Sequence, residues 1–428
     1  MPQAQILEVH KAIRLNQGYR WGKNVLSIPL NGTIYLYNTL AQSYVKFLGV
    51  AAISKGAAVN DNAVLQKLDS LSLITRLEKA EEDSQYFTAL HNLQQRSGAS
   101  NYTIAPTLDC NCQCPYCFVR KDAVSMSVAA ADILAAYIRD EHQRTGRPPS
   151  ITWYGGEPLL AVGTIQRISR FLIDSDIPFS SDIITNGLLV SAGTVKILRD
   201  SRVSGAQLTL DGYLSDHNTI RNTPGKPCDT YSAVLAAAAR LIAGNFHLKI
   251  RVNCSSENID NIHKLADCPQ LSALDRAKFV IYFETIDTSP QVRSRLKTLQ
   301  ELFSKTGYRV LDGLPKNSLH FHSCSALRDS DYSIGPSLEL YDCYSDLGNK
   351  KRVTGVLTQG SPAKSFYTTT GLLPAICADC PVLPFCYARG CPYKLARTNF
   401  IHDEAFCAEL KERIHNVLLE KLANKYGH

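Results

Sequence analysis

The chain has 428 residues, 45% hydrophobic and 20% charged, with 25 Gly and 19 Pro. At roughly 150 residues per domain that is two to four globular domains, not a disordered, collagenous or coiled-coil chain. No apolar run reaches the roughly 20 residues of a membrane span, and the opening MPQAQILEVHKAIR is too polar for a secretory signal, so a soluble cytoplasmic protein without membrane partner is expected. Net charge is +7, from 46 basic and 39 acidic residues. Residues 1–60 hold Lys11, Arg14, Arg20, Lys23, Lys46 and Lys55 against Glu8 alone, but no Lys/Arg run tracks a phosphate backbone, which disfavours nucleic acid.

In chain order, Asn24–Leu30, Asn31-Gly32 and Thr33–Tyr37 read as a β-hairpin, because Asn-Gly accepts the positive φ angles of a two-residue turn. Pro29 confines its strand to an edge or a strand end. Helices are expected near 40–48, 62–72 and 81–96, which together with the hairpin are compatible with a winged-helix-like module over 1–98. From 99 to 309 strands and helices alternate. Strands are expected at 103–108, 151–154, 182–185, 206–210, 247–253 and 278–284. Helices are expected at 127–144, 163–175, 191–200, 230–243, 258–267 and 291–306. Six β/α units argue for a parallel sheet, doubly wound or a partial barrel, with its site in the loops after the strands. Residues 310–428 are rich in Pro, Gly and Cys, lack a conventional core, and end in a helix at 403–423. Bound metal is expected to hold them together.

Of 14 cysteines, four lie at Cys110, Cys112, Cys114 and Cys117, and seven between Cys324 and Cys407. In a long chain such clusters point to metal or redox chemistry. Cys110, Cys114 and Cys117 have the spacing C-x3-C-x2-C, which suits a [4Fe-4S] cube with one open iron. A zinc knuckle with Cys112 as fourth ligand is the alternative. Cys112 is otherwise a spare thiol.

This spacing after the first strand, with Tyr116 before the last cysteine, resembles the radical S-adenosylmethionine (SAM) superfamily. The resemblance implies a cluster whose open iron is chelated by SAM, and a partial (β/α)6 TIM-type barrel. Gly155-Gly156-Glu157-Pro158 after the second strand resembles the element whose backbone and acid receive the SAM amino group. Thr185-Asn186-Gly187 after the third is similar to the segment that contacts the ribose. Asp211-Gly212 with His217 and Arg221 resembles a stretch of the peptide- and protein-modifying branch. Loop capping or a surface ion pair is the bland alternative there. Arg251 and Asn253 end the fifth strand, where a guanidinium can pair with the SAM carboxylate, or be merely structural.

Cys377-x2-Cys380-x5-Cys386-x4-Cys391 with Cys407, following Cys324 and Cys343, resembles the SPASM domain, which carries two auxiliary [4Fe-4S] clusters. By that resemblance Cys377, Cys380, Cys386 and Cys407 ligate one. Cys324, Cys343 and Cys391 ligate the other, with an open iron or a ligand such as His320 or His322. A pair of zinc sites is the alternative. More weakly, residues 1–98 resemble the peptide-recognition element of ribosomal-peptide maturases.

The expected protein is therefore a maturase that abstracts a hydrogen from a precursor peptide with a leader segment and forms a thioether or carbon cross-link. It would use three [4Fe-4S] clusters, SAM, and an external electron donor such as flavodoxin or ferredoxin. Two alternatives are a maturase of a folded protein, of the sulfatase or amine-dehydrogenase kind, and a non-catalytic iron–sulfur carrier or zinc-binding interaction protein. The carrier leaves Gly155–Pro158 and Thr185–Gly187 without a purpose. No catalytic acid or base is identified.

Overall fold

The computed structural model describes residues 11, 13–15, 17–49, 58–95, 98–223, 225, 228–286, 290–311, 324–357, 375–386 and 404–426. They fall into two compact units. One draws on Met1–Arg96, Pro315–Arg328 and Phe366–His428, the other on Ser97–Leu314 and Asp329–Ser365. Residues of the segment 310–428 contribute to both units.

In the larger unit, strands Ser100–Ile104, Pro149–Trp153, Ser180–Ile184, Val203–Leu210, His247–Cys254 and Phe279–Thr285 lie parallel and side by side in chain order. A doubly wound sheet reverses strand order at a switch point. Across these six strands the order never reverses, which is the connectivity of a partial barrel. The helices between are amphipathic. Ile165, Ile168 and Leu172 of Val162–Asp174 share one core with Ile151, Trp153 and Ile183 of the strands. Their ends are set by side chains and glycine. Ser127 accepts from the Ala130 N–H to start Val128–Thr145, and Gly146 at φ 69° ends it.

Two expectations are corrected in this unit and one strand is added. The first strand ends at Ile104 instead of continuing to 108, because residues beyond Pro106 leave the sheet and pair with the chain returning at 124–126. The helix expected at 258–267 is only a 3-10 turn, Ile262–Leu265. The Asn258 amide is spent on the backbone carbonyls of Asp211 and Asn253, and Pro269 disfavours helix just before it. A seventh parallel strand, Asp331–Ile334, lies beside the first and is extended by antiparallel Glu339–Tyr341 and Gly355–Val356.

In the smaller unit, Val25–Leu30 and Thr33–Asn38 form the expected hairpin, with Asn31 and Gly32 at φ 48° and 75°. Tyr44–Gly49 is a third antiparallel strand, not the helix expected at 40–48. Its alternation explains this: Tyr44 packs on one side of the sheet, Val45 and Phe47 on the other. Leu26, Ile28, Tyr35 and Tyr37 pack against Val382, Phe385 and the Ile414, Leu418 and Leu422 side of helix Glu404–Tyr426. Val25, Ile34 and Leu36 face Leu65 and Leu68 of helix Asn62–Ser70. Both faces of the sheet are therefore covered. No helix among the described residues is long and apolar enough to cross a membrane.

Candidate active site

The cysteine loop is pinned at its base. The Leu108 N–H donates to the Val124 carbonyl (2.9 Å), and Met126 N–H to the Pro106 carbonyl (2.8 Å). Within it Cys110 and Cys114 are half-buried, Cys117 is exposed and Cys112 is buried. The Cys112 N–H points at the Cys110 sulfur (3.5 Å). The Cys110 pKa is lowered, first through its contact with the Cys112 side chain, while burial pushes Cys114 up. These thiols are all free. Among the described residues no three His, Cys, Asp or Glu side chains converge closely enough to hold a single metal ion. The donor set itself, three free soft thiols on one anchored loop, fits an iron–sulfur group.

The element after the second strand packs directly on this loop. The N–H groups of Gly156 and Glu157 donate to the carbonyls of Thr107 (3.1 Å) and Asp109 (2.8 Å). Gly155 sits at φ 120°, and a Cβ on Gly156 would overlap the Asp109 carbonyl, so neither position tolerates a side chain. Glu157 is 1% exposed. One carboxylate oxygen accepts from Leu159 N–H (3.0 Å) and the Thr185 hydroxyl (2.7 Å), the other from Asn186 N–H (2.8 Å). Burial pushes its pKa up to about 7 against those hydrogen bonds. Pro158 opens the turn Pro158–Ala161 that Glu157 caps. The Asn186 amide then reaches Asn111 Oδ1 (2.6 Å) and lies 3.9 Å from the Cys110 sulfur. Glu157, Thr185, Asn186 and Cys110 are thus one connected group.

A second group surrounds Asp211, which is fully buried. One of its oxygens accepts from the Tyr116 hydroxyl (2.6 Å) and Asn253 Nδ2 (2.8 Å), the other from Arg221 Nε (2.7 Å). Burial opposes ionisation, but Arg221 and the Tyr116 hydroxyl outweigh it and hold the carboxyl below its ordinary range. Arg221 Nη2 and Asn253 Nδ2 each donate to the Tyr116 oxygen at 2.9 Å. Arg251 Nε donates to Asn253 Oδ1 (2.7 Å). His217 accepts the Asp211 N–H on Nδ1 (3.1 Å), and its buried Nε2 has no hydrogen-bond partner among the described residues. Burial, then Arg221, lowers its pKa to about 4. His217 and Arg221 are therefore buried parts of this group, not surface capping groups. Asn111 and Asn258 went unrecognised in the sequence, where a loop asparagine reads only as a turn former.

In the smaller unit, Cys377 is pushed up to about 11 by burial and further by Cys380, Cys386 and Cys407, so these three thiols each lie within electrostatic reach of Cys377. Cys377 and Cys324 share an apolar cluster with Tyr86, Leu90 and Leu383. Cys343 belongs to the larger unit, where it is buried. Its neighbour Tyr344 meets Phe118, beside Cys117, with ring centroids 5.9 Å apart. Cys391, His320 and His322 lie outside the described residues.

Residues 104–268 match the Radical SAM superfamily. Several solved structures are similar in fold. One is native anSMEcpe with bound AdoMet and Cp18Cys peptide, at 17% identity and TM-score 0.58 over 76% of this chain and 99% of that one. Streptococcus suis SuiB bound to S-adenosylmethionine gives 16% and 0.52 over 90% and 99%. SuiB bound to precursor peptide SuiA gives 16% and 0.52 over 87% and 95%. No curated protein matches the chain by sequence. With the cysteine loop at its start and its polar groups at the ends of successive parallel strands, the segment 104–268 is similar to a radical SAM superfamily domain.

Proposed function

We propose that this protein is a radical SAM maturase of a ribosomally made precursor peptide, forming an oxidative thioether or carbon cross-link. The observation that carries the reading is the linkage of Glu157, Thr185, Asn186 and Asn111 across the first three strand ends to Cys110. An electron carrier has no use for such a pocket wall. Cys110, Cys114 and Cys117 would hold the cluster. The backbone at Gly155-Gly156 and the Thr185–Asn186 segment would line the SAM site, with Tyr116, Pro158 and Arg251 around it. Glu157 braces the walls, because its oxygens already serve three donors of the chain. With cluster and SAM bound, the chemistry supplied is one-electron cleavage of the sulfonium and hydrogen-atom abstraction from the peptide. Electrons come from an external donor such as flavodoxin or ferredoxin.

Cys377, Cys380, Cys386 and Cys407 would ligate one auxiliary cluster, a reading supported by the electrostatic influence of the other three on Cys377. Cys324, Cys343 and Cys391 would serve the second. The N-terminal sheet would bind the leader at an edge strand, since both its faces are covered. That SuiB has been seen with its precursor peptide SuiA and anSMEcpe with a peptide supports a peptide substrate.

Anaerobic reconstitution with iron and sulfide, followed by SAM and dithionite, tests the core of this. The expected results are 5′-deoxyadenosine and about twelve irons per chain, four per cluster. Absence of 5′-deoxyadenosine sinks the radical reading, and stoichiometric zinc with four irons sinks the auxiliary clusters. Coexpression with a short neighbouring open reading frame, then peptide fragmentation by mass spectrometry, identifies the bond.

A further inference from the structure

The cysteine loop has two anchors of different construction. Its first arm, at Cys110, is tied through Asn111 to Asn186 and so to the walls braced by Glu157. Its second arm carries Cys114 and Cys117, and none of those contacts reaches it. We propose that Asp211, Arg221 and Asn253 are positioning residues that hold the Tyr116 phenol, and through it the Cys114–Cys117 arm.

The argument starts from the hydroxyl's capacity. A phenol offers one donor and two acceptor sites. Tyr116 donates to Asp211 and accepts from Arg221 and Asn253, so all three are filled at 2.6, 2.9 and 2.9 Å. The three partners come from the end of the fourth strand, the end of helix Leu214–Ile220, and the fifth strand. A ring held from three directions has its position defined, not merely its burial. The partners are fixed in turn. Asn258 Nδ2 donates to the backbone carbonyls of Asp211 (3.0 Å) and Asn253 (2.9 Å), and the Asp211 N–H is taken by His217. A second tie lies on the other side of Cys114: the Gln113 N–H donates to the carbonyl of Asn222, next to Arg221 (2.9 Å). Cys114 is therefore bracketed by two contacts to one turn.

A buried ion pair is weak evidence for stability, since apolar packing of equal volume often serves as well. What apolar packing does not supply is direction. A slack second arm would still bury Tyr116, but it would let the two sulfurs wander relative to Cys110. Holding a constellation of ligands to within a fraction of an ångström requires such supporting hydrogen bonds.

Tyr116→Phe tests this, because it removes one hydroxyl and leaves the Asp211–Arg221 pair and the Asn253–Asp211 bond in place. Hydrogen exchange on the full-length protein reads the loop independently of catalysis. Exchange at residues 113–119 is expected to quicken about tenfold in Tyr116→Phe and in Asp211→Asn, with strand Ser180–Ile184 unchanged. The double variant should be no faster than the faster single one, because the two substitutions break one device. In reconstituted Tyr116→Phe, iron content should be retained while the electron paramagnetic resonance spectrum of the reduced cluster with SAM differs from wild type. Wild-type exchange at 113–119 in Tyr116→Phe overturns the proposal, as does a double variant whose accelerations multiply. Should Asp211→Asn not fold, Tyr116→Phe alone decides. The spectroscopic arm rests on the radical SAM reading, whereas the exchange arm does not. Wild-type protein that cleaves no SAM therefore defeats the maturase and leaves the loop anchor to be judged by exchange.

Discussion

Gly156 shows how much a single missing side chain can carry. It brings the second strand's loop onto the backbone of the cysteine loop, where a Cβ would run into the Asp109 carbonyl. Backbone cannot rotate out of the way as a side chain can, so Gly156→Ala is expected to cost on the order of 3 kcal/mol, the upper range for overpacking. Gly163, with nothing within 4 Å of its Cβ position, is the control: Ala there should be neutral or slightly stabilising. Thermal melting of both variants, with iron uptake at the first cluster, checks the pair. Gly156→Ala melting with wild type removes the close approach as an explanation of this motif. His217 yields a second test. Its pKa is about 6.5 in the unfolded chain and about 4 when folded, because burial disfavours the imidazolium. Between those values the unfolded state binds more protons, so stability is present above pH 6.5 and is lost as pH falls toward 4. The loss is on the order of 3 kcal/mol. Urea titrations of metal-free protein from pH 7 to 4 should show this slope, and His217→Asn should flatten it. An equal slope in both proteins assigns the acid sensitivity elsewhere.

At the scale of elements, the barrel strands and helices were legible because burial on one or both faces imposes period 2 or 3.6 on the residues themselves. The cysteine spacing and Gly155-Gly156 were legible for a related reason, since local geometry demands those residue types. What escaped was long-range. Tyr116 meets Asp211, Arg221 and Asn253 across 95, 105 and 137 residues, and no local pattern encodes such a meeting. Likewise the local sequence of the Tyr44–Gly49 strand reads as helix, because its partner strand and the two cores it divides are what select its conformation. Those cores also bind the N-terminal sheet to the cysteine-bearing segment. Ile28 is fully buried with Phe385 and Leu418. The Thr39 hydroxyl donates to the Pro381 carbonyl (2.5 Å), one residue beyond Cys380. Lys79 pairs with Asp379 (2.6 Å), between Cys377 and Cys380. Ile28→Ala should therefore cost about 2–5 kcal/mol and, if Cys377, Cys380, Cys386 and Cys407 hold the proposed cluster, also loosen its iron. Measured together, melting temperature and iron retention under a chelator should fall in step. Destabilisation with wild-type iron retention would separate the sheet from the metal.

For the whole molecule, the same packing changes how leader recognition has to be tested. Removing residues 1–95 looks like the direct experiment, but it strips the cover from Val382, Phe385, Ile414, Leu418 and Leu422. Loss of modification would then report a damaged cysteine-rich segment as readily as a lost recognition site. Charge narrows the choice of substitutions. Arg20 is engaged by Glu82 (2.5 Å) and the Leu77 carbonyl. Lys23 is nearly buried against Asp83, over the rings of Tyr86 and Phe87. Neither can steer an incoming peptide. Arg14 and Lys46 are exposed, and Lys46 lies on the edge strand Tyr44–Gly49. An acidic leader attracted to that edge should associate faster at low salt, with the attraction screened over about 10 Å at 0.1 M. The paired charge reversal Arg14→Glu with Lys46→Glu is therefore expected to slow association several-fold at low ionic strength and to flatten its salt dependence. The dissociation rate should change less, because main-chain pairing at the edge is untouched. Stopped-flow binding of the labelled precursor across a salt series makes the measurement, with circular dichroism melting to confirm that the sheet is intact. An association rate and salt slope equal to wild type would mean that the leader does not enter at this edge, and the sheet would then serve to cover the cysteine-rich segment instead.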